Sequence, residues 1–501
     1  MDNLSIFLWF VVSLICFILV SFKKRYSYWK DRGAAYVEPT IPLGNLPLLK
    51  VHFKDTTDPI YKQKKPGAPF MGAYFFRTPV VIATDLDFIQ RVLVKDFSSF
   101  NGRGIYINEK DDPLSENMFS LDGDKWKSLR AKFSPVFTSG KMKFMFTTVV
   151  DVADRLNSTL SETLKAKSEV EVRDLLARFT TDVIGTCAFG IECDTLKNPN
   201  SKFRHYGSKI FEEPLHGPLM GLLMIQYPNF ARKLRLRLVQ KEVEDFFMDL
   251  VRGTIDYREQ NNIRQNDFMD LLIQLKNGEF LDGHSQKLGR ITFGEIVAQA
   301  YLFFLAGFET SSSVMVFSLY ELALNPDIQE KARQEAETIL SKYEGKLTYE
   351  AVKEAEYLDQ IISESLRKYP VAVNLIRQAI RDYPVPGTKV IIEKGTTVLI
   401  PVYSIHHDPE IFHSPDVFNP DRFAPEQIKA RHPVSFLGFG EGPRNCIGLR
   451  FGRMESKIGL ITLLKNYQFK PCSKTSIPMV FAEGKPILTP KFGVYLQVEK
   501  L

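Results

Sequence analysis

Phe436-Leu-Gly-Phe-Gly-Glu-Gly-Pro-Arg-Asn-Cys-Ile-Gly448 carries the strongest structural signal in this chain. Its glycines allow a tight loop and let the backbone approach a bulky planar group. Good helix formers fill residues 449–465, so Cys446 is expected just before a helix N-terminus. The helix dipole and the cation of Arg444 both favour a thiolate there, which suits an iron ligand. The alternative is a buried free cysteine at an ordinary loop–helix junction.

The composition is that of an ordinary globular protein, with 44% apolar and 25% charged residues. A net charge of +6 over 501 residues is too weak to indicate nucleic acid binding. The five cysteines are odd in number and include no C-x-x-C pair, which fits a reduced, cytosol-facing protein. The length alone suggests about three domains, a division that the motifs below oppose.

Residues 4–22 contain no charge, and Lys23-Lys24-Arg25 follows them directly. As a helix this run is about 28 Å long, close to the hydrocarbon thickness of a bilayer. The positive-inside rule then leaves the rest of the chain on the cytosolic side. A cleaved signal peptide is the alternative, but the preceding Asp2 is acidic and no small-x-small cleavage site follows. We therefore predict an uncleaved membrane anchor.

Residues 292–325 contain no proline and predict a helix of about 34 residues, roughly 50 Å long. Pro326 ends it. Its middle, Leu305-Ala-Gly-Phe-Glu-Thr-Ser-Ser-Ser313, places a glycine, an acid and four hydroxyl residues where a buried helix tolerates them poorly. Residues that conflict with the helix preferences of their own segment often indicate a functional site. The alternative is that the Thr310 hydroxyl bonds back to the carbonyl four residues earlier.

Trp126 and Arg130 stand four residues apart in a predicted helix and share one face. An indole N–H and a guanidinium on one face suit a pair of carboxylates. Glu364 and Arg367, three residues apart in a second amphipathic stretch, can pair in the same way.

The spacing Phe439-x-x-Gly442-x-Arg444-x-Cys446-x-Gly448 resembles the haem-binding loop of the cytochrome P-450 superfamily, in which a cysteine thiolate is the proximal ligand. The resemblance covers essentially the whole chain. It is strongest toward insect microsomal family 6, with the vertebrate 3A type next. It implies a mainly α fold with a smaller β region. One haem domain over residues 46–501 would follow an anchor and basic stop over residues 1–25 and a proline-containing hinge over residues 26–45.

The resemblance also implies the roles of individual residues, with Thr310 and Glu309 delivering protons to iron-bound oxygen. Glu364, Arg367 and Arg422 would form a buried structural triad, although Asp421 stands where many relatives have Glu. Haem binding is assigned to Trp126, Arg130, Ala306, Gly307, Arg377, Phe439, Arg444, Cys446 and Gly448, with Cys446 as the axial iron ligand. The predicted substrate pocket consists of Ile105, Ile107, Phe119, Ala306, Val371, Val373 and Phe481.

The implied function is a monooxygenase that inserts one oxygen atom of O₂ into small lipophilic substrates. The implied cofactor is haem b, and the electrons come from NADPH through a membrane-bound reductase, with cytochrome b5 as a second partner; NADPH itself is not bound by this chain. The family resemblance favours detoxification of xenobiotics, insecticides or plant toxins, at the cytosolic face of the endoplasmic reticulum. The alternatives are an endogenous hormone or lipid hydroxylase, a haem-thiolate isomerase or dehydratase, and a non-catalytic haem-binding membrane protein.

Three further features have open interpretations. A set of lysines forms either a solvated face or a docking patch for an acidic electron-transfer partner: Lys125, Lys127, Lys132, Lys141 and Lys143. The apolar and basic residues 203–237 form a lid, a second membrane contact or core packing. His406, His407 and His413 are interpreted as surface histidines rather than metal ligands.

Overall fold

A computed structural model describes residues 2–47, 52–213, 215–265, 267–278 and 290–501. Two compact units result, and each is assembled from several segments of the chain. The first unit contains residues 1–104, 372–413 and 432–444, and the second contains residues 105–371, 414–431 and 445–501.

Helices dominate the chain, so the prediction of a mainly α fold with a smaller β region is confirmed. The helices are α1 (Asn3–Tyr26), α2 (Tyr28–Asp31), α3 (Phe53–Tyr61), α4 (Leu86–Gln90), α5 (Gly123–Phe133), α6 (Ser139–Ala166), α7 (Val172–Ile184), α8 (Lys202–Glu212), α9 (Pro218–Gln226), α10 (Pro228–Lys233), α11 (Lys241–Asn261), α12 (Phe268–Asn277), α13 (Phe293–Leu324), α14 (Pro326–Lys342), α15 (Tyr349–Glu354), α16 (Glu356–Lys368), α17 (Val402–His406), α18 (Pro425–Ala430) and α19 (Leu449–Leu464). Turns of π-helix over Arg91–Lys95 and Gly185–Phe189 extend α4 and α7, and short 3₁₀ segments occupy Phe97–Ser99, Pro113–Ser115, Ser134–Phe137 and Pro420–Phe423.

The strands are short and belong to small sheets: β1 (Phe70–Phe75), β2 (Thr78–Ala83), β3 (Glu169–Glu171), β4 (Leu375–Gln378), β5 (Tyr383–Pro384), β6 (Ile391–Ile392), β7 (Thr397–Ile400), β8 (Tyr467–Pro471) and β9 (Tyr495–Lys500). In the first unit, β1-β2-β7-β4 form one sheet, in which only β2 and β7 are parallel. In the second unit, β3-β9-β8 form an antiparallel sheet.

Helix α1 carries its apolar side chains on the outside, because residues 4–20 of this helix are mostly exposed. By length and composition, two helical segments of the described chain are able to cross a membrane: Asn3–Asp31, which is not buried, and α13, which is largely buried. The burial of α13 makes it a core helix, whereas α1 is the one whose apolar surface lacks a protein cover.

Helix α13 is the central helix of the second unit and packs against α7, α19, α16 and α11. Its N-terminus is capped by Thr292 and Glu295, each side chain accepting from the other's backbone N–H. The helix ends at Leu324, directly before Asn325 and Pro326. The prediction of one long helix over this range is therefore confirmed, and its middle lies in the core of the unit.

Candidate active site

Cys446 lies in the second unit, at the end of the glycine-rich loop and three residues before the start of α19. Its thiol is exposed. The Arg130 guanidinium of α5 holds the loop, because Nη1 donates to the Asn445 carbonyl at 3.0 Å and Nη2 donates to Asn445 Oδ1 at 2.9 Å. Gly448 lies beside the sulfur, and a Cβ placed there would come within 4.0 Å of Sγ. The backbone at Cys446 is thus fixed while the sulfur remains accessible.

Arg130 also acts on the sulfur electrostatically. Burial lowers the pKa of its guanidinium, and the charge of Cys446 raises it. A cation and a thiolate that are held close together stabilise each other's charged form. Trp126, on the same helix, is buried. We expected both residues to face haem carboxylates; Arg130 uses both terminal nitrogens on Asn445, and each of these nitrogens carries a second N–H.

Helix α13 carries an exposed residue in a middle section that is otherwise buried or half-buried, and we call this place the opening. Ala306 is exposed, although Phe304 and Phe308 on either side of it are fully buried. Thr310 is partly exposed, and its hydroxyl donates to the Ala306 carbonyl at 2.6 Å. This bond to the carbonyl four residues earlier is the one that the alternative, non-functional interpretation of Thr310 predicts. The lone pairs of a hydroxyl that donates are still able to accept, so Thr310 offers an acceptor at this opening.

Gly307 and Glu309 contact helix α7. A Cβ on Gly307 would lie 2.3 Å from Ile184 Cδ1, so glycine allows α7 to approach α13 closely. Glu309 is buried, and its Oε1 lies 3.1 Å from Arg173 Nη2 on α7. The Thr180 hydroxyl of α7 donates to the Phe308 carbonyl at 2.8 Å. Helix α7 therefore fixes the turn of α13 that carries Thr310.

Helix α19, which follows Cys446, packs on the same turn. A Cβ on Gly452 would lie 3.8 Å from Ser311 Oγ, so α19 crosses α13 one residue after Thr310. The second unit thus combines an accessible thiol, a small exposed residue in a core helix and a half-buried cation beside the thiol. This donor set and opening fit a planar group bound through an axial sulfur, as haem is in thiolate-ligated proteins.

Three predicted haem-binding residues belong to the first unit. Arg377 and Arg444 are buried, and Phe439 is partly exposed. Arg377 Nη1 donates to the Ile376 carbonyl at 2.9 Å. Gly442 adopts a φ of +75°, and a Cβ there would come within 1.9 Å of the Leu93 carbonyl, so only glycine fits this loop position.

The structure brings Glu364, Arg367 and Arg422 together in the second unit. Arg367 donates two hydrogen bonds to the Glu364 carboxylate, at 2.7 and 2.8 Å, and both side chains are fully buried. Arg422 Nε lies 3.3 Å from Glu364 Oε1, and the Asn419 N–H donates to the same oxygen at 3.0 Å. The carboxylate thus ties α16 to the segment around Arg422.

The predicted pocket residues differ in exposure. Phe119 is exposed, while Ile105 and Ile107 are half-buried. Phe481 packs on Phe317 of α13, with ring centres 6.4 Å apart. Val371 and Val373 are buried, and the residue between them, Ala372, is exposed.

The lysine set is less uniform than the sequence suggested. Lys132 is buried and donates to the Arg290 carbonyl at 3.4 Å, so its interpretation as an exposed docking residue is wrong. Its apolar stem packs in the core while the ammonium reaches a backbone oxygen. Lys125 pairs with Glu109 and Glu116 at 2.7 and 2.8 Å. Lys127 and Lys143 are exposed.

His406 is not a surface histidine, which corrects the interpretation above. It is fully buried, and its Nε2 accepts from the Leu437 N–H at 2.9 Å. Its ring also stacks on Phe436, with centres 5.4 Å apart. The short helix α17 therefore uses His406 to hold the start of the glycine-rich loop. His407 stacks on Tyr403 at 4.0 Å, and His413 is exposed.

The segment over residues 203–237 combines core and surface features. Met224 and Ala231 are buried together with Tyr106. Ile225, Tyr227 and Phe230 are exposed. Pro214, one of the residues behind the lid and membrane interpretations, lies outside the described residues.

Comparison with known proteins settles the family. The cytochrome P450 family model matches residues 38–498. Probable cytochrome P450 6a14 of Drosophila melanogaster is 44% identical over 492 residues, covering 95% of this chain and 96% of that relative. Cytochrome P450 6A1 of Musca domestica is 44% identical over 507 residues, covering 100% of this chain and 99% of that relative. Cytochrome P450 6a9 of Drosophila melanogaster is 44% identical over 500 residues, covering 99% of both chains.

The chain belongs to the cytochrome P450 family. The predicted resemblance, including its direction toward insect family 6, is thereby confirmed. Membership of the P450 family supports a haem-thiolate cofactor, a monooxygenase role and electron-transfer partners. Two contacts of this P450 were not expected from its sequence, those of Arg130 with Asn445 and of Glu309 with Arg173. Asn445 lies inside the glycine-rich loop directly before Cys446, and this position could have indicated a role in holding the loop. No sequence pattern around Arg173 indicated its contact with Glu309.

Proposed function

We propose that this protein is a membrane-anchored monooxygenase that oxidises small lipophilic molecules with electrons from NADPH, and that xenobiotics, including plant toxins and insecticides, are its substrates. The observation that carries the proposal is the accessible Cys446 thiol on a loop clamped by Arg130, in the same unit as the exposed Ala306 of α13. Similarity to insect family 6 supports the substrate class by analogy.

Cys446 is proposed as the axial ligand of haem b, and Arg130 as the residue that fixes the ligand loop and favours the thiolate. Haem bound through a thiolate supplies the activation of O₂ and the transfer of one oxygen atom to substrate. Gly448 keeps the space beside the sulfur open. The haem-binding roles of Arg377, Phe439, Arg444 and Trp126 stay predictions from the family resemblance.

The proton-handling groups of the proposed mechanism lie on one turn of α13. The Thr310 hydroxyl donates its hydrogen bond to the Ala306 carbonyl. Its oxygen can therefore accept a hydrogen bond from a water or substrate hydroxyl at the opening. Glu309 is held by Arg173, and Arg173 is more exposed than Glu309. We propose that this ion pair positions the Glu309 carboxylate and connects it toward solvent. Thr310 and Glu309 are the proposed catalytic residues.

Helix α1 is proposed to span the membrane of the endoplasmic reticulum, with Lys23-Lys24-Arg25 on the cytosolic side. The proposed electron donors are NADPH–cytochrome P-450 reductase and cytochrome b5. Lys127 and Lys143, at the exposed part of the lysine set, are the proposed contacts for an acidic donor surface. Nucleic acid is not a proposed partner.

The test is reconstitution of the full-length protein with reductase, NADPH and a panel of lipophilic plant toxins and insecticides. The expected result is a hydroxylated or epoxidised product that contains one oxygen atom from labelled O₂ and forms only with reductase and NADPH. Turnover of peroxides without reductase would instead identify an isomerase or dehydratase. Turnover of a hormone or lipid but none of the toxins would refute the detoxification proposal while leaving the monooxygenase assignment intact.

A further inference from the structure

His406 is the buried contact between helix α17 and the start of the glycine-rich loop. Its side chain is fully buried, and its Nε2 accepts from the Leu437 N–H at 2.9 Å. Because Nε2 is the acceptor, the proton of the neutral ring is on Nδ1. The ring planes of His406 and Phe436 are 13° apart, and Phe412 packs edge-on against the imidazole. One side chain thus holds both the backbone of Leu437 and the ring of the residue before it.

Helix α17 is a firm support for this histidine. Ile405 is fully buried in the core of the first unit. Asp408, two residues after His406, accepts from the Lys64 ammonium at 2.6 Å and from the Tyr61 hydroxyl at 2.7 Å. The imidazole is therefore held from both sides along its own chain.

Leu437 passes this position on to the loop. Its side chain is buried in the same hydrophobic cluster as Ile405, and its carbonyl accepts from the Gly440 N–H at 2.9 Å. Gly440 has a φ of +69°, a conformation that favours glycine. Leu437 thus joins α17 through its N–H to the turn over residues 437–440 through its carbonyl.

The glycine-rich loop runs from the first unit into the second, and each of its ends is held within its own unit. His406 holds Leu437 in the first unit, and Arg130 holds Asn445, the residue before Cys446, in the second. Glycines, which have the greatest backbone freedom, occupy three positions between these ends: 438, 440 and 442. A segment so rich in glycine does not determine its own path, so we expect its held ends to fix the backbone that carries Cys446.

We propose that His406 is a positioning residue for the axial thiolate, acting through the Leu437 N–H, and that the lone pair on Nε2 is the feature required. Loss of this acceptor leaves a buried N–H unpaired, which favours states in which the start of the loop has moved. Groups behind a metal ligand commonly control how firmly that ligand binds. The inference rests on the proposed role of Cys446 as the haem ligand.

The test follows the carbon monoxide spectrum of reduced, full-length holoprotein in mild urea. The quantity measured is the ratio of the strongly red-shifted band to the band at shorter wavelength. His406→Leu removes the acceptor, whereas His406→Gln keeps an oxygen near the position of Nε2, and both variants lose the ring. We expect the ratio to fall about fivefold or more in the leucine variant, because an unpaired buried N–H shifts an equilibrium by at least that factor. The glutamine variant should regain most of the wild-type ratio.

His52→Leu is the matched control. His52 is a buried histidine of the same unit, and its Nδ1 accepts from the Lys54 N–H of α3 at 3.2 Å. This variant loses the same kind of bond, so its unfolding midpoint should drop while the ratio of the two bands stays that of wild type. If His406→Leu does not fold, His406→Asn replaces it, because the asparagine oxygen is too close to the backbone to reach the Leu437 N–H.

Amide hydrogen exchange gives a readout that does not depend on the haem spectrum. The peptide that contains Leu437 should exchange faster in His406→Leu or His406→Asn than in His406→Gln, His52→Leu or wild type. Equal band ratios in His406→Leu and His52→Leu, or a glutamine variant as poor as the leucine variant, would overturn the inference alone. Absence of the red-shifted band from wild type would refute the role of Cys446, and this inference would fail with it.

Discussion

Arg173 on α7 and Glu309 on α13 form an ion pair, with Nη2 and Oε1 3.1 Å apart. The carboxylate is buried, while about a quarter of the Arg173 side chain remains exposed, at 27%. The acid beside Thr310 is therefore held in place from outside the helix that carries it. This makes Arg173 a positioning residue for the proposed proton delivery.

Replacement of Arg173 by glutamine should leave haem binding intact and reduce the product formed per NADPH. We expect a loss of about three- to tenfold, which is less than the 10²–10⁴ that a positioned proton-transfer group can contribute. The measurement is product and hydrogen peroxide per NADPH. Arg178→Gln, one helical turn later and paired with Asp174, is the matched control. If both variants form the same amount of product per NADPH, the Arg173–Glu309 ion pair has no role beyond packing.

Thr310→Val removes the hydroxyl at the α13 opening and keeps the shape of the side chain. We expect product formation to fall about tenfold or more, with NADPH still consumed and hydrogen peroxide released, because the acceptor for the proton-carrying group is lost. Thr310→Ser should restore most of the product, since it keeps the bond to the Ala306 carbonyl. If the valine variant forms as much product per NADPH as wild type, Thr310 has no role in the mechanism.

Glu455 of α19 is predicted to make stability depend on pH. Its carboxyl is fully buried beside Ser311, and burial raises its pKa from 4.5 to about 8. Among the described residues, the Cys187 thiol interacts electrostatically with the Glu455 carboxyl. This thiol is buried as well, and burial raises its pKa. The folded state then retains a proton that the unfolded state releases between pH 4.5 and 8.

The sign follows from that difference. The contribution of Glu455 to the free energy of unfolding is full below about pH 4.5 and falls as pH rises toward 8, by up to about 1.4 kcal/mol per pH unit. Glu455→Gln cannot ionise, so urea midpoints of variant and wild type should diverge between pH 6 and 8 in favour of the variant. Parallel pH profiles would mean that the carboxyl titrates normally.

The buried triad should contribute more to stability than an exposed ion pair does. Glu364→Ala leaves the buried Arg367 without its carboxylate and should cost about 3–5 kcal/mol, so that holoprotein yield and the unfolding midpoint drop. The exposed pair of Lys165 and Glu162 is the control, and its loss should cost about 0–1 kcal/mol. Similar losses in the two variants would contradict the structural role of the triad.

Reversal of charge at Lys127 should slow reductase-supported turnover and leave peroxide-supported turnover unchanged, because only the former needs the docked donor. Lys165→Glu, an exposed lysine on α6, is the control. Lys132 is unsuited to this test, since a charge reversal in its buried position would disturb folding. An equal loss in both assays for Lys127→Glu would refute the docking role.

Sequence reasoning succeeded where the signal was local. The length of α13 and its end before Pro326, the start of α19 after the glycine-rich loop and the pairing of Glu364 with Arg367 follow from composition and spacing within a few turns. Their physical causes are near in sequence, namely a proline that ends a helix and the helical repeat that brings residues three or four apart together.

The unpredicted features depend on residues far apart in the chain. Arg173 and Glu309 are separated by 136 positions, and Arg130 and Asn445 by 315. Neither partner's local pattern specifies the other. Likewise, the burial of Lys132 and His406 depends on which surfaces pack over α5 and α17. Residue type alone favoured the surface for both, and tertiary contacts with Arg290 and Leu437 overrode that preference.

The central claim, that Cys446 binds haem iron as a thiolate, is tested most directly by the carbon monoxide difference spectrum of the reduced protein, with wild type beside Cys446→Ser. The account predicts a strongly red-shifted Soret band in wild type and its absence in the variant. A wild-type band at the position typical of histidine ligation, or a red-shifted band that persists in the variant, would contradict it.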